Sequence, residues 1–94
     1  MSAFIDNERK QKLCKILSSN LPTLRTKTGM SQKELADRLG FSRQTISAIE
    51  GKKRDMQWST FSAIVLLLSN DSEVCLMMAV IGILGDDVRK TLKI

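Results

Sequence analysis

Ninety-four residues, 43% hydrophobic and 27% charged, suit one folded domain at most and exclude a disordered chain. The absence of histidine, of any CxxC pair and of a Gly-rich phosphate loop, HExxH or GxSxG motif argues against zinc, cofactor and catalytic chemistry. Charge is lopsided: residues 1–54 carry 12 Lys/Arg against 5 Asp/Glu, a net of +7, whereas 55–94 carry 3 against 5, a net of −2, a distribution suited to a polyanionic partner.

The chain reads as all-α, with five helices and no convincing strand. From Asp6 to about Ser19, Leu13, Ile16 and Leu17 fall on one side of a Lys/Arg-rich run, with Asp6 or Asn7 as cap. Pro22 lacks an N–H and clashes with the preceding turn, so a break or kink is expected near Asn20–Leu21, with Asn20 capping a fresh start that runs to Gly29. Ser31 and Glu34 form an S-x-x-E capping box, and Leu35, Ala36 and Leu39 are the buried stripe of a helix that Gly40 stops. Ser42 caps the next helix, 42–50, whose inner face is Ile46 and Ile49. A polar, basic loop follows, GKKRDMQ. Trp58, Phe61, Ile64, Val65 and Leu68 recur at three and four, a further amphipathic helix. The last, about 72–84, opens at Asn70 or Asp71 and is apolar nearly all round until Gly85 and a charged tail.

Counting from Gln32, residues Leu35, Ala36, Leu39, Gly40, Phe41, Ile46 and Ile49 occupy positions 4, 5, 8, 9, 10, 15 and 18. Two helices meeting at a steep angle across a tight turn need this layout: a small residue at their close approach, a glycine in the turn and apolar residues in the angle. Each position alone says little; seven at fixed spacing mark a helix-turn-helix, with 31–50 as the core motif of a single domain, 1–94.

Leu21 to Leu68, and above all LRTKTGMSQKELADRLGFSRQTISAIEGKKR, resemble the Xre/Cro-repressor type of helix-turn-helix regulator. The resemblance implies a compact five-helix bundle whose helix 42–50 enters the major groove of double-stranded DNA. Read on its own, that helix presents Gln44, Ser47 and Ala48 outward, with Arg43 and Gly51 at the margins, once Ile46 and Ile49 point inward. Gln can pair with adenine N6/N7, Arg with guanine O6/N7, and Ala can touch a thymine methyl, so Arg43, Gln44, Ser47 and Ala48 are the candidate base readers. A solvated polar helix face is the plainer alternative.

Ser31, Gln32 and Ser42 stand at helix N-termini, where free N–H groups and the dipole favour phosphate, and the resemblance assigns Gln32 such a grip. Lys52, Lys53 and Arg54 follow the recognition helix and are candidate phosphate contacts; Lys27 and Lys33 read as steering charge. The resemblance pairs Glu50 with Arg25 in a structural ion pair. One departure is visible: where such regulators commonly carry Asn-Gly-Lys, this chain has Gly51-Lys52-Lys53, which shifts the small turn residue by one place.

The helix 72–84 has more large apolar side chains than one buried face needs, so it is expected to form a two-fold homodimer interface. The expected function is therefore a sequence-specific DNA-binding regulator, a repressor acting as a homodimer. The rival is an antitoxin-like subunit whose C-terminal helix binds a partner protein. No small-molecule ligand is evident. The start lacks a signal-peptide core and the apolar runs are too short for a bilayer, so a cytoplasmic protein with no membrane partner is expected, its cysteines reduced.

Overall fold

The computed structural model describes residues 5–94, and among them lie six helices and no strand: α1 (Asn7–Lys27), α2 (Gln32–Leu39), α3 (Arg43–Glu50), α4 (Trp58–Leu68), α5 (Ser72–Val80) and α6 (Asp86–Leu92). The longest, α1, packs against α3, α4 and α5, while α2 packs chiefly on α3. Five helices were expected; the sixth, α6, comes from the charged tail, and helix boundaries differ from expectation at both ends of the chain.

At the front, the expected break at Pro22 does not occur. α1 runs straight through it, and Asn20 caps nothing; its Nδ2 donates to the Ile16 carbonyl at 2.8 Å. Leu13, Leu17, Leu21 and Leu24 form one fully buried stripe that stays in register only on an unbroken helix. Holding Leu21 and Leu24 in the core is worth about 2 kcal/mol each, which exceeds the roughly 3 kcal/mol that an interior proline costs. Burial wins. Asp6 caps the helix by accepting from the Arg9 N–H at 2.8 Å.

At the back, the expected helix 72–84 is shorter. Asp71 caps α5, accepting from the N–H groups of Glu73 and Val74, and the helix ends at Val80. Gly82, at φ +90°, turns the chain so that Ile83 and Leu84 enter the core from a loop. The charged tail then folds as α6, with Asp86 and Asp87 at its positive end and Val88 fully buried. Two ion pairs fasten this C-terminal part to α1: Arg9–Asp87 at 2.8 Å and Lys27–Glu73 at 2.9 Å. Lys27, expected as steering charge, is thus engaged with a carboxylate.

Between the ends, local signals suffice. Ser31 and Glu34 form the reciprocal capping box, at 3.0 and 3.2 Å. Gly40 takes φ +74°, and the Phe41 N–H returns to the Ala36 carbonyl at 2.8 Å, closing the turn between α2 and α3. Ser42 caps α3 through the Thr45 N–H. On α4, Trp58 stacks on Phe61 with ring centroids 4.6 Å apart, and the Lys10 ammonium lies 5.4 Å from the Trp58 ring.

Candidate nucleic-acid interface

Ile46 and Ile49 turn one side of α3 wholly into the core, and that fixes which residues remain outside. Arg43 and Gln44 are exposed, while Ser47 and Ala48 are half-buried. Thr45 is half-buried too, its Oγ1 3.0 Å from Ser42 Oγ. Of the candidate readers only Arg43 and Gln44, in the first turn of α3, are exposed.

Behind this face runs a continuous polar chain. Arg25 Nε donates to Glu50 Oε2 at 2.8 Å and Nη2 donates to Oε1 at 3.1 Å, while Nη1 donates to the Met30 carbonyl at 3.0 Å. Gln32 Nε2 also donates to Glu50 Oε1, at 2.9 Å, and Gln32 Oε1 accepts from Arg43 Nη1 at 3.3 Å. The Glu50 side chain is only 6% exposed. A carboxylate at the C-terminal end of α3 opposes the helix dipole, and the fork of Arg25 offsets that as well as its burial. In return, the Glu50 carboxylate holds the Arg25 guanidinium above its ordinary pKa, chiefly by the hydrogen bond. One chain of contacts therefore links the end of α1, the start of α2 and both ends of α3.

Gln32 is occupied at both ends of its amide, so its backbone N–H at the start of α2 is the group best placed to meet an outside anion. Arg43 commits one donor to Gln32 and keeps four of the five a guanidinium owns. Neither link is visible in spacing, since eleven positions separate Arg43 from Gln32.

The basic loop after α3 folds back on the helix: the N–H groups of Lys53 and Arg54 both reach the Ala48 carbonyl, at 2.9 and 3.3 Å. Lys52, not Gly51, takes the left-handed conformation, φ +60°. Gly51 sits at φ −82°, where an added Cβ would come 3.2 Å from the Ser47 carbonyl oxygen, so its smallness is used for a close approach instead. Lys52 Nζ donates to Ser19 Oγ on α1 at 2.6 Å. Among the described residues, the side chains of Lys53 and Arg54 have no hydrogen-bond or ion-pair partner. Ser31 and Ser42 are exposed at their helix ends, and Lys33 is paired with Asp37 at 3.0 Å.

Cys14 is buried and Cys75 half-buried; both are free thiols, and burial pushes the Cys14 thiol up to about 11, so it stays protonated. Among the described residues no helix is long and apolar enough to cross a membrane, and no cluster of three His, Cys, Asp or Glu could hold a metal ion.

No curated protein and no solved structure matches the chain. Residues 23–55, from the second half of α1 through α3 and its basic loop, match the family model described as Helix-turn-helix, and this part of the chain is a helix-turn-helix of the Xre and phage-repressor-like type.

Proposed function

We propose that this protein is a sequence-specific DNA-binding repressor that reads the major groove with α3 and its Ser42 cap, as a homodimer. The observation that carries the reading is the exposed first turn of α3, with Arg43 and Gln44 on a helix-turn-helix that the Arg25–Glu50–Gln32 chain braces. Gln44 and Arg43 read base edges; Ser47 and Ala48, nearer the surface, contact bases only where the helix lies deepest in the groove. The N-termini of α2 and α3, at Ser31, Gln32 and Ser42, and the cations Lys52, Lys53 and Arg54 grip the backbone on either side.

The homodimer reading rests on Leu76 and Val80, one helical turn apart on α5 and 66% and 78% exposed. The same two residues would serve an antitoxin-like subunit that docks on another protein. Sedimentation of the chain alone separates the two: a homodimer supports the first, a monomer the second. The reading as a whole is tested by selecting bound sequences from random duplex DNA with the wild type and Gln44→Ala. Preference lost at one or two base pairs per half-site supports base reading. A uniform loss over all sequences moves Gln44 to the backbone contacts, and no enrichment in the wild type overturns the proposal.

A further inference from the structure

A groove of about 530 Å³ lies between α1 and the loop after α3, away from the exposed first turn of α3. Its floor is apolar, from Ile49 and Met56 beside the Cys14 thiol. Lys15, Lys52 and Arg54 line it as well, against the single carboxylate of Asp55, a local balance of +2. Among the described residues, Lys15 and Arg54 have no ion-pair partner, and Lys52 is held across one side by the Ser19 hydroxyl.

Ser18 adds a neutral polar group to the same wall. It is 7% exposed, it lines this groove, and its hydroxyl makes no hydrogen bond within the described residues. Among the described residues no buried side-chain polar atom lacks a partner, so the Ser18 hydroxyl is open to the groove and to water, and a ligand's oxygen can take the place of that water. The volume lies within the range of small-molecule sites, and the lining has their usual make-up: an apolar floor with a few convergent polar groups.

We propose that this groove binds a small phosphomonoester with a short apolar body. A phosphomonoester carries close to two negative charges at neutral pH, which matches the balance of three cations and one carboxylate. Its phosphoryl oxygens can accept from Lys15, Arg54 and Ser18, while its body covers Ile49 and Met56. Lys52 and Arg54 also belong to the proposed DNA-backbone contacts, so an occupied groove withdraws them from DNA. That consequence rests on the proposed function; the binding itself does not.

Phenyl phosphate is the probe, titrated into the isotope-labelled full chain at fixed ionic strength and followed by amide chemical shifts. Saturable shifts confined to residues 14–18 and 49–56 are expected. Inorganic phosphate, which lacks the apolar body, should bind at least fivefold more weakly, and Lys15→Gln and Ser18→Ala should each lose at least fivefold. Should Ser18→Ala fold poorly, the exposed Lys15 carries the test alone. No saturable shift, shifts centred on the N-termini of α2 and α3, or an undiminished response in Lys15→Gln would each overturn the site. Saturating phenyl phosphate should also lower wild-type affinity for a selected duplex at least threefold, and leave that of Lys15→Gln unchanged. Groove binding with unaltered DNA affinity overturns the competition and leaves the site standing; failure to bind any duplex overturns the proposed function instead.

Discussion

Arg25 on α1 and Glu50 at the end of α3, 25 positions apart, meet in a two-point ion pair, Nε to Oε2 at 2.8 Å and Nη2 to Oε1 at 3.1 Å. Planar fork meets planar carboxylate, so the pair fixes direction as well as distance. Because Gln32 shares Oε1, the same carboxylate also sets where α2 begins relative to α3.

Removing the acid should therefore cost stability and disturb the proposed reading face together. Glu50→Ala leaves a mostly buried guanidinium unpaired and should destabilise by about 3 kcal/mol. Glu50→Gln keeps acceptor and shape on one side and should lose roughly 1–2 kcal/mol. Urea unfolding gives both numbers. A Glu50→Gln protein that keeps both its unfolding midpoint and its DNA affinity would show that the pair orients nothing.

Lys52 should set stability against binding. A non-glycine residue in the left-handed region costs on the order of 1 kcal/mol, and the exposed hydrogen bond to Ser19 returns only part of that. Lys52→Gly is expected to raise stability by up to about 1 kcal/mol. It should simultaneously weaken DNA binding and flatten the salt dependence by about one phosphate contact. Gly51→Ala, whose Cβ meets the Ser47 carbonyl oxygen, should not stabilise. If Lys52→Gly binds DNA as tightly as the wild type, Lys52 serves the loop and not the backbone of DNA.

What the sequence alone revealed follows from the range of each signal. The caps at Ser31 and Ser42 and the turn at Gly40 are local, each decided within a few residues, and they bound α2 and α3. Pro22 misled because its local cost is outweighed by the burial of Leu21 and Leu24 against helices far along the chain. The apolar run from Val74 to Leu84 gave no hint of where α5 stops, since the residues after Gly82 are as apolar as those before it. α6 did carry a sign in Val88 and Leu92, four apart, with the acids Asp86 and Asp87 ahead of them and the bases Arg89 and Lys90 nearer the C-terminal end. At the interface, exposure of Gln44 follows from helical period, but the engagement of Arg43 by Gln32 and of Lys52 by Ser19 depends on how helices cross.

Acid should loosen the C-terminal clamp. The Arg9 guanidinium, first by its hydrogen bond, holds the Asp87 carboxyl below the usual carboxylate range, helped by the Val88 N–H. A depressed folded-state pKa means stability that is fully present above the unfolded value, about 4, and lost as pH falls through the lower folded value. Both side chains are about a third or more exposed, so the contribution is at most about 1 kcal/mol. Asp87→Asn should thus be slightly less stable than the wild type at pH 7, and the gap should close at acid pH. A gap of equal size at both pH values would assign the loss to the N-terminal turn of α6 and not to the ion pair.

The exposed pair on α5 makes the sharpest separation between folding and assembly. Met78, on the same helix, is fully buried, and Met78→Ala should cost about 2–5 kcal/mol in a cavity. Leu76 and Val80 contribute little to the monomer's core, so Leu76→Lys and Val80→Lys should leave the monomer's unfolding within about 0.5 kcal/mol. Two copies meeting on this patch across a two-fold axis would bring the lysines of both together, and like charges there should drive the dimer apart. Sedimentation should then show wild-type dimer and variant monomer at equal concentration. Binding to a duplex with two half-sites should fall by at least tenfold, while binding to one half-site should not change. Retention of the dimer in the double variant would move the interface off α5 altogether.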